Sequence, residues 1–249
     1  DEPWSAEVEC VELPHRGASG YVLNAAAVRR TFAARRCDLL NAHYATGYGT
    51  LATLSGVRPR LLSVWGSDVY DFPQISPLHR AGLRQVLGSA DGIGSTSHVM
   101  ARQVQAVMGP RWQGKVAVTP FGVDAARFAP AAARPGAGTT RPLVNGTGKK
   151  LEPKYGIDTL IRAFALLAGD GALRSALPAG LRLRLVGEGV QRAELQALAG
   201  SLGVADQVEL AGAVPHDQVP VQLRTLDIYA AASRLDSESF GVAVIEASA

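Results

Sequence analysis

Along this chain, short runs of leucine and β-branched residues alternate with longer stretches whose apolar positions recur every three or four residues. Such alternation predicts strands and amphipathic helices in turn. Val8–Leu13 predicts a strand, and Tyr21, Ala25, Val28 and Phe32 predict a helix running on to Arg36. Asp38–His43 and Arg60–Trp65 predict strands with a short helix, Tyr48–Ser55, between them. Leu78–Leu87 predicts a helix, Gly92–Ser95 a strand, and Ser97 the N-cap of a helix reaching Met108. Lys115–Thr119 predicts one more strand. Strands alternating with helices give parallel sheets covered on both faces, so the expected fold class is α/β.

The pattern then breaks. Pro130 to Pro142 reads PAAARPGAGTTRP, with no period that could bury a face, and predicts a linker or exposed loop over 130–141. Beyond it the alternation restarts. Leu143–Gly146 predicts a strand, and Ile157, Leu160, Ile161, Phe164 and Leu167 a clean amphipathic helix. Leu181–Val186 predicts a strand, Gln191–Leu202 a helix, Gln207–Leu210 a strand, Val219–Arg224 a short helix and Asp227–Ala231 a strand. Phe240–Ala249 predicts a helix without a C-terminal cap. Two α/β domains are therefore expected, over 1–129 and 142–249, the first lacking its opening strand and the second its later half.

Composition narrows the class. With 47% hydrophobic and 19% charged residues among 249, the chain matches globular proteins with a real core. No apolar run approaches the roughly 18–20 residues of a membrane helix. The net charge of +3 comes from scattered Arg without aromatic interleaving, which argues against a nucleic-acid partner and leaves weak peripheral membrane contact open. Cys10 and Cys37 match no metal spacing and are expected to be buried reduced thiols in a cytoplasmic protein. One detail stands apart: of four Lys in the chain, Lys149, Lys150 and Lys154 fall within six residues.

In open parallel sheets, ligands bind at the carboxyl ends of strands. The glycine-rich and polar stretches lie at predicted strand ends: Asn41–Gly49, Gly66-Ser67-Asp68, Gly146–Lys150, Gly187-Glu188-Gly189 and Ser233–Gly241. Glycines in the loop from Gly146 to Gly156 allow close backbone approach, and clustered ammonium groups suit a diphosphate. The G-x-x-x-x-G-K-[ST] order of a Walker loop is absent. Near the end of the chain, Glu238 precedes Ser239-Phe240-Gly241, and Glu246 lies eight positions on. A carboxylate accepts two hydrogen bonds at once and so grips a vicinal diol.

These segments carry a resemblance. SRLDSESFGVAVIEASA resembles the E-x(7)-E segment of the retaining glycosyltransferases of family 4, which have the GT-B fold of two facing Rossmann-like domains. TPFGVDAARFAP resembles the family's P-N-G-V-D-x-x-x-F-x-P stretch, and KKLEPKYGIDTLIRAFALL its G-R-L-x-x-x-K-G-x-x-x-L-I-x-A segment. LVGEGVQRAELQALAGSLGVADQVELAGAVPHDQVP, DLLNAHYATGYG and LLSVWGSDV fit in the same order.

The resemblance implies an acceptor-side first domain and a donor-binding second domain. It implies transfer of a hexosyl or N-acetylhexosaminyl group from a nucleotide-diphosphate sugar to a glycan or lipid-linked acceptor. Glu238 would bind donor sugar hydroxyls and Glu246 the ribose, with Ser239, Phe240 and Gly241 between them. Lys150, in the family's Arg position, and Lys154 would neutralise the diphosphate. Glu188, Gly189 and Gly146 would lie near the nucleotide, and His43, Gly47 and Asp68 on the acceptor side. Neither a cofactor nor a metal is expected. Tyr155 stands in the family's Lys column, Trp65 where many members carry His, and Phe121 in place of the usual Asn. A sugar-phosphate synthase, a nucleotide-sugar epimerase and a non-catalytic sugar-nucleotide-binding module remain the alternatives, and the fragment alone is expected to be inactive.

Overall fold

The computed structural model describes residues 7–114, 116–130 and 135–249. They form two α/β units, Asp1–Pro120 and Phe121–Ala249.

The first unit opens with helices α1 (Gly17–Leu23) and α2 (Ala25–Ala34). One continuous helix was expected here. The break falls at Asn24, a buried residue whose carboxamide turns back to His15, donating to its carbonyl at 2.8 Å and accepting from its N–H at 3.1 Å. Residues 8–13 form no strand; Val8 and Val11 stay about half exposed, because alternation alone supplies no neighbouring ladder. Strand β1 (Leu40–His43), α3 (Gly47–Ser55), β2 (Arg60–Ser63), three helices α4 (Ser67–Tyr70), α5 (Phe72–Ile75) and α6 (Pro77–Ser89), β3 (Gly92–Ser95), α7 (His98–Met108) and β4 (Val116–Val118) follow. Ser97 caps α7 as expected, its hydroxyl accepting from the Met100 N–H. Lys115, expected to open the last strand, lies outside the described residues. The sheet is parallel in the order β1-β2-β3-β4. Leu62 and Ile93 from the strands, with Val64 just past β2, meet Leu83, Leu87, Met100 and Val104 from α6 and α7 in its core. Cys10 and Cys37 are free and exposed, against the expectation of burial. Each sits in or beside irregular chain rather than on a packed face.

The second unit carries β5 (Leu143–Gly148), α8 (Ile157–Gly169), α9 (Gly171–Ala176), β6 (Leu181–Val186), α10 (Arg192–Ser201), β7 (Val208–Gly212), α11 (Val219–Leu223), β8 (Ile228–Tyr229) and α12 (Val242–Ser248). The parallel sheet runs β7-β6-β5-β8. Along β6, Leu183 and Leu185 bury against Ile157, Ile161, Phe164 and Leu195, while Arg184 reaches Glu209 at 2.8 Å and Gln222 at 2.9 Å. That is the period-two pattern of a strand with unlike faces.

Residues 121–129, expected with the first domain, belong to the second unit. The Arg224 guanidinium donates to the carbonyls of Arg127 and Ala129, and the Phe121 ring meets Phe240 edge-on at 5.3 Å. Of the expected linker, residues 131–134 lie outside the described residues. The rest is held down: Arg141 grips Asp227 through two hydrogen bonds of 2.7 and 2.6 Å, and Ala179 donates to the Gly138 carbonyl at 2.9 Å. Among the described residues, no helix is long and apolar enough to cross a membrane.

Candidate functional site

In the order β7-β6-β5-β8 the first strand of the second unit lies between the second and the fourth, so successive connections leave β5 in opposite directions. Such a switch point is where open α/β sheets receive ligands. The β5 strand runs to Gly148, two residues further than its apolar pattern predicts, with Gly146 and Gly148 paired to Arg184 and Val186. Lys149 and Lys150 follow at its carboxyl end.

The glycines here divide by role. A Cβ on Gly146 would lie 2.5 Å from the Arg184 carbonyl oxygen and from the Leu226 side chain, so Gly146 serves sheet packing. Gly187 (φ +149°) and Gly189 bring backbone against backbone, since a Cβ there would stand 2.0 Å from the Lys149 oxygen and 2.3 Å from the Leu151 oxygen. Hydrogen bonds from Lys149 N–H to Val186 and from Leu151 N–H to Glu188, each 3.0 Å, seal the two strand-end loops together. A Cβ on Gly148 would meet nothing within 4 Å. Of these four glycines it alone leaves space open.

That space belongs to a cavity of about 320 Å³, lined among others by Gly148, Lys150, Glu188, Gln222, Leu226 and Glu246. Lys150, Glu188 and Glu246 are thus brought together. Glu188 also holds Arg192, one helical turn on, at 2.6 Å.

Glu238 behaves otherwise. Glu238 and Lys150 were expected at two ends of one cavity, but Glu238 is not among the residues lining the cavity that holds Lys150, and the ammonium that reaches its Oε1 is that of Lys149. Lys150 lines the cavity and Lys149 does not, so the two adjacent lysines do not share a target. Lys149 is the residue that sequence reasoning missed, and no local signal marks it, because which of two adjacent lysines meets Glu238 depends on where the loop before α12 lies. Lys149 Nζ lies 5.2 Å from the Tyr155 ring centroid and Lys154 Nζ 4.8 Å from the same ring. Burial works against the charge of Lys154, but its contacts with Tyr155 and with Glu152, 3.6 Å away, outweigh this and raise its pKa.

The loop before α12 is anchored by Arg234. Its N–H donates to the Lys154 carbonyl at 2.9 Å, and its guanidinium donates to both Asp158 oxygens at 2.7 Å. Burial pushes the Asp158 carboxyl up; the Arg234 hydrogen bonds and charge and two backbone N–H groups pull it further down, and the net is below the ordinary carboxylate range. Ser239 Oγ is buried without a hydrogen-bond partner among the described residues, and Gly241 supplies the left-handed φ of +74° from which α12 starts.

In the first unit the three singled-out residues are all engaged by the protein. The Trp65 indole N–H donates to His43 Nδ1 at 3.3 Å, and Asn41 Nδ2 stands 3.0 Å from His43 Nε2. The space of a Cβ on Gly47 is filled by the Tyr21 ring, 2.4 Å away. Asp68 is wholly buried and accepts from the N–H groups of Ala45 (2.8 Å), Trp65 (3.1 Å) and Gly66 (2.9 Å), tying the loop after β1 to the loop after β2.

Residues 3–97 match the model described as glycosyl transferase 4-like, and residues 143–249 the model of glycosyl transferases group 1. The chain is similar to the GDP-mannose-dependent alpha-(1-6)-phosphatidylinositol monomannoside mannosyltransferase of Mycolicibacterium smegmatis, at 32% identity over 81% of this chain and 52% of that one. It is 34% identical to the D-inositol 3-phosphate glycosyltransferase of Segniliparus rotundus over 72% of this chain and 39% of that one. The chain thus spans about half or less of the length of these curated relatives. Among solved structures, the sucrose-phosphate synthase of Thermosynechococcus elongatus superposes with a TM-score of 0.68 at 20% identity, over 90% of this chain and 56% of that one. Matched in both of its units by glycosyltransferase models and sharing its fold with GT-B structures, the chain belongs to the GT-B glycosyltransferases of family 4 type.

Proposed function

We propose that this chain serves a retaining transfer of a hexosyl or N-acetylhexosaminyl group from a nucleotide-diphosphate sugar to a glycan or lipid-linked acceptor. The observation that carries this reading is the cavity at the carboxyl end of β5, where an ammonium, Lys150, and a carboxylate, Glu246, meet beside the open face of Gly148. A nucleoside diphosphate presents those two needs in one molecule: negative charge to neutralise and a ribose diol to grip. Breaking the bond between the sugar and the diphosphate builds charge on the leaving group, and a preorganised cation lowers that barrier most where water is excluded. Lys150 supplies this cation, and Lys154 a second one from the turn over Tyr155. Glu238 receives the sugar hydroxyls. The chemistry runs on these cations without a metal. GDP-mannose, named for a relative, is the first donor to test. A lipid-linked acceptor, also named for that relative, would place the reaction at the inner face of a membrane.

Thermal unfolding of the protein with GDP-mannose, UDP-glucose and ADP-glucose tests the reading, because a ligand that binds the folded state raises its apparent stability. One of the three should stabilise the wild type. Lys150→Ala and Glu246→Ala should each weaken that binding about tenfold or more, given ~1.5–3 kcal/mol for a hydrogen bond to a charged group. Absence of stabilisation by all three, or undiminished stabilisation in both variants, would remove the assignment.

A further inference from the structure

The Lys149–Glu238 pair joins positions 89 residues apart and is mostly shielded, with the side chains 12% and 26% exposed. Lys149 has little freedom to do otherwise. Its backbone N–H is fixed on Val186 at 3.0 Å, its carbonyl is packed under Gly187, and its ammonium lies over the Tyr155 ring. The loop bearing Glu238 is tethered at its other end, where Arg234 binds the Lys154 carbonyl and Asp158. Between these two ties the Glu238 carboxylate has one oxygen, Oε1, held by Lys149. Among the described residues, Oε2 accepts no hydrogen bond from the protein.

We propose that Lys149 is a positioning residue: it holds the Glu238 carboxylate turned so that Oε2 can accept hydroxyls of the donor's sugar, while Lys150 and Glu246 serve the nucleotide. This rests on the donor reading above. Its physical basis is that a charge-assisted hydrogen bond in a shielded place holds a carboxylate in one rotamer. The division of labour follows from where the two lysines lie: Lys150 lines the cavity, and the Lys149 ammonium meets the carboxylate.

Binding of free nucleoside diphosphate and of its sugar conjugate separates the roles. Isothermal titration would compare GDP with GDP-mannose, UDP with UDP-glucose, and ADP with ADP-glucose, on the wild type, Lys149→Met, Lys149→Arg, Glu238→Gln and the Lys149→Met/Glu238→Gln double variant. Lys149→Met is expected to weaken the sugar conjugate about tenfold, or ~1.4 kcal/mol, with the free diphosphate changed little. Lys149→Arg should restore most of the loss, and the double variant should bind the conjugate no worse than Glu238→Gln alone. Equal losses for conjugate and free diphosphate in Lys149→Met would make Lys149 a phosphate contact and overturn the proposal. So would additive losses in the double variant. Failure of the wild type to bind any of the six ligands would instead overturn the donor reading on which the proposal stands. A variant that fails to fold is recognised by its unfolding curve, and Lys149→Arg, which keeps the charge, then carries the test.

Discussion

Asp68 is fully buried, and burial pushes its carboxyl above the ordinary range although the N–H groups of Ala45, Trp65, Gly66 and its own backbone pull it down. The folded state therefore holds this proton more tightly than the unfolded chain. Its contribution to stability declines as pH rises from the ordinary carboxylate value through the raised one. Asp158 runs the other way. Its folded value is depressed, so its contribution is present above the ordinary carboxylate value and is lost as pH falls through the depressed one. Asp68→Asn puts an amide NH2 among N–H donors and should lower stability by about 1–3 kcal/mol in chemical denaturation, since buried donors lose their acceptor. Equal or greater stability would show that relief of the buried charge outweighs the lost hydrogen bonds. Gly66-Ser67-Asp68 and Gly47 were visible in the sequence as polar and glycine positions at strand ends. Their engagement by Ala45 and Tyr21 was not, because each partner arrives from a distant segment whose approach no local pattern encodes.

At the scale of elements, β5 and the loops beyond it combine two kinds of glycine. Gly187 sits at φ +149° with a backbone oxygen where its Cβ would be, so Gly187→Ala forces the strand-end loops apart and should cost about 1–3 kcal/mol. Gly148 faces open space in the cavity lining, so Gly148→Ala should hold stability to within about 0.5 kcal/mol while weakening nucleotide binding. Denaturation curves and ligand titration on the two variants would check the contrast. A large stability loss in Gly148→Ala would mean that its space is structural after all. The strand and helix pattern around these loops was legible from apolar spacing, since Leu183 and Leu185 or Ile157, Ile161 and Phe164 follow strand and helix periods closely. The helix break at Asn24 and the unpaired Val8–Leu13 were not. In both, the deciding interaction is a side chain reaching nine residues back, or a neighbouring strand that a one-dimensional pattern does not contain.

For the molecule as a whole, two parallel α/β units could be read from the restart of alternation beyond Pro142, because a buried sheet needs repeated apolar strands and these are local properties of the chain. The segment that joins the units could not be divided correctly. Its neighbours are chosen by Arg224, Asp227 and Phe240, all distant in sequence. If the second unit binds the donor, hydrogen exchange with a stabilising nucleotide sugar should slow in peptides covering 146–151 and 235–249. Slowing confined to 40–68 would place the ligand in the first unit. By itself, the sequence determined the fold class, the order of elements and which residue types gather at strand ends, since hydrophobic period and turn chemistry act over a few residues. Which lysine meets which glutamate was decided only by the tertiary structure. Lys149 and Lys150 are chemically alike and adjacent, and only the direction of β5 and the placing of the loop before α12 tell them apart.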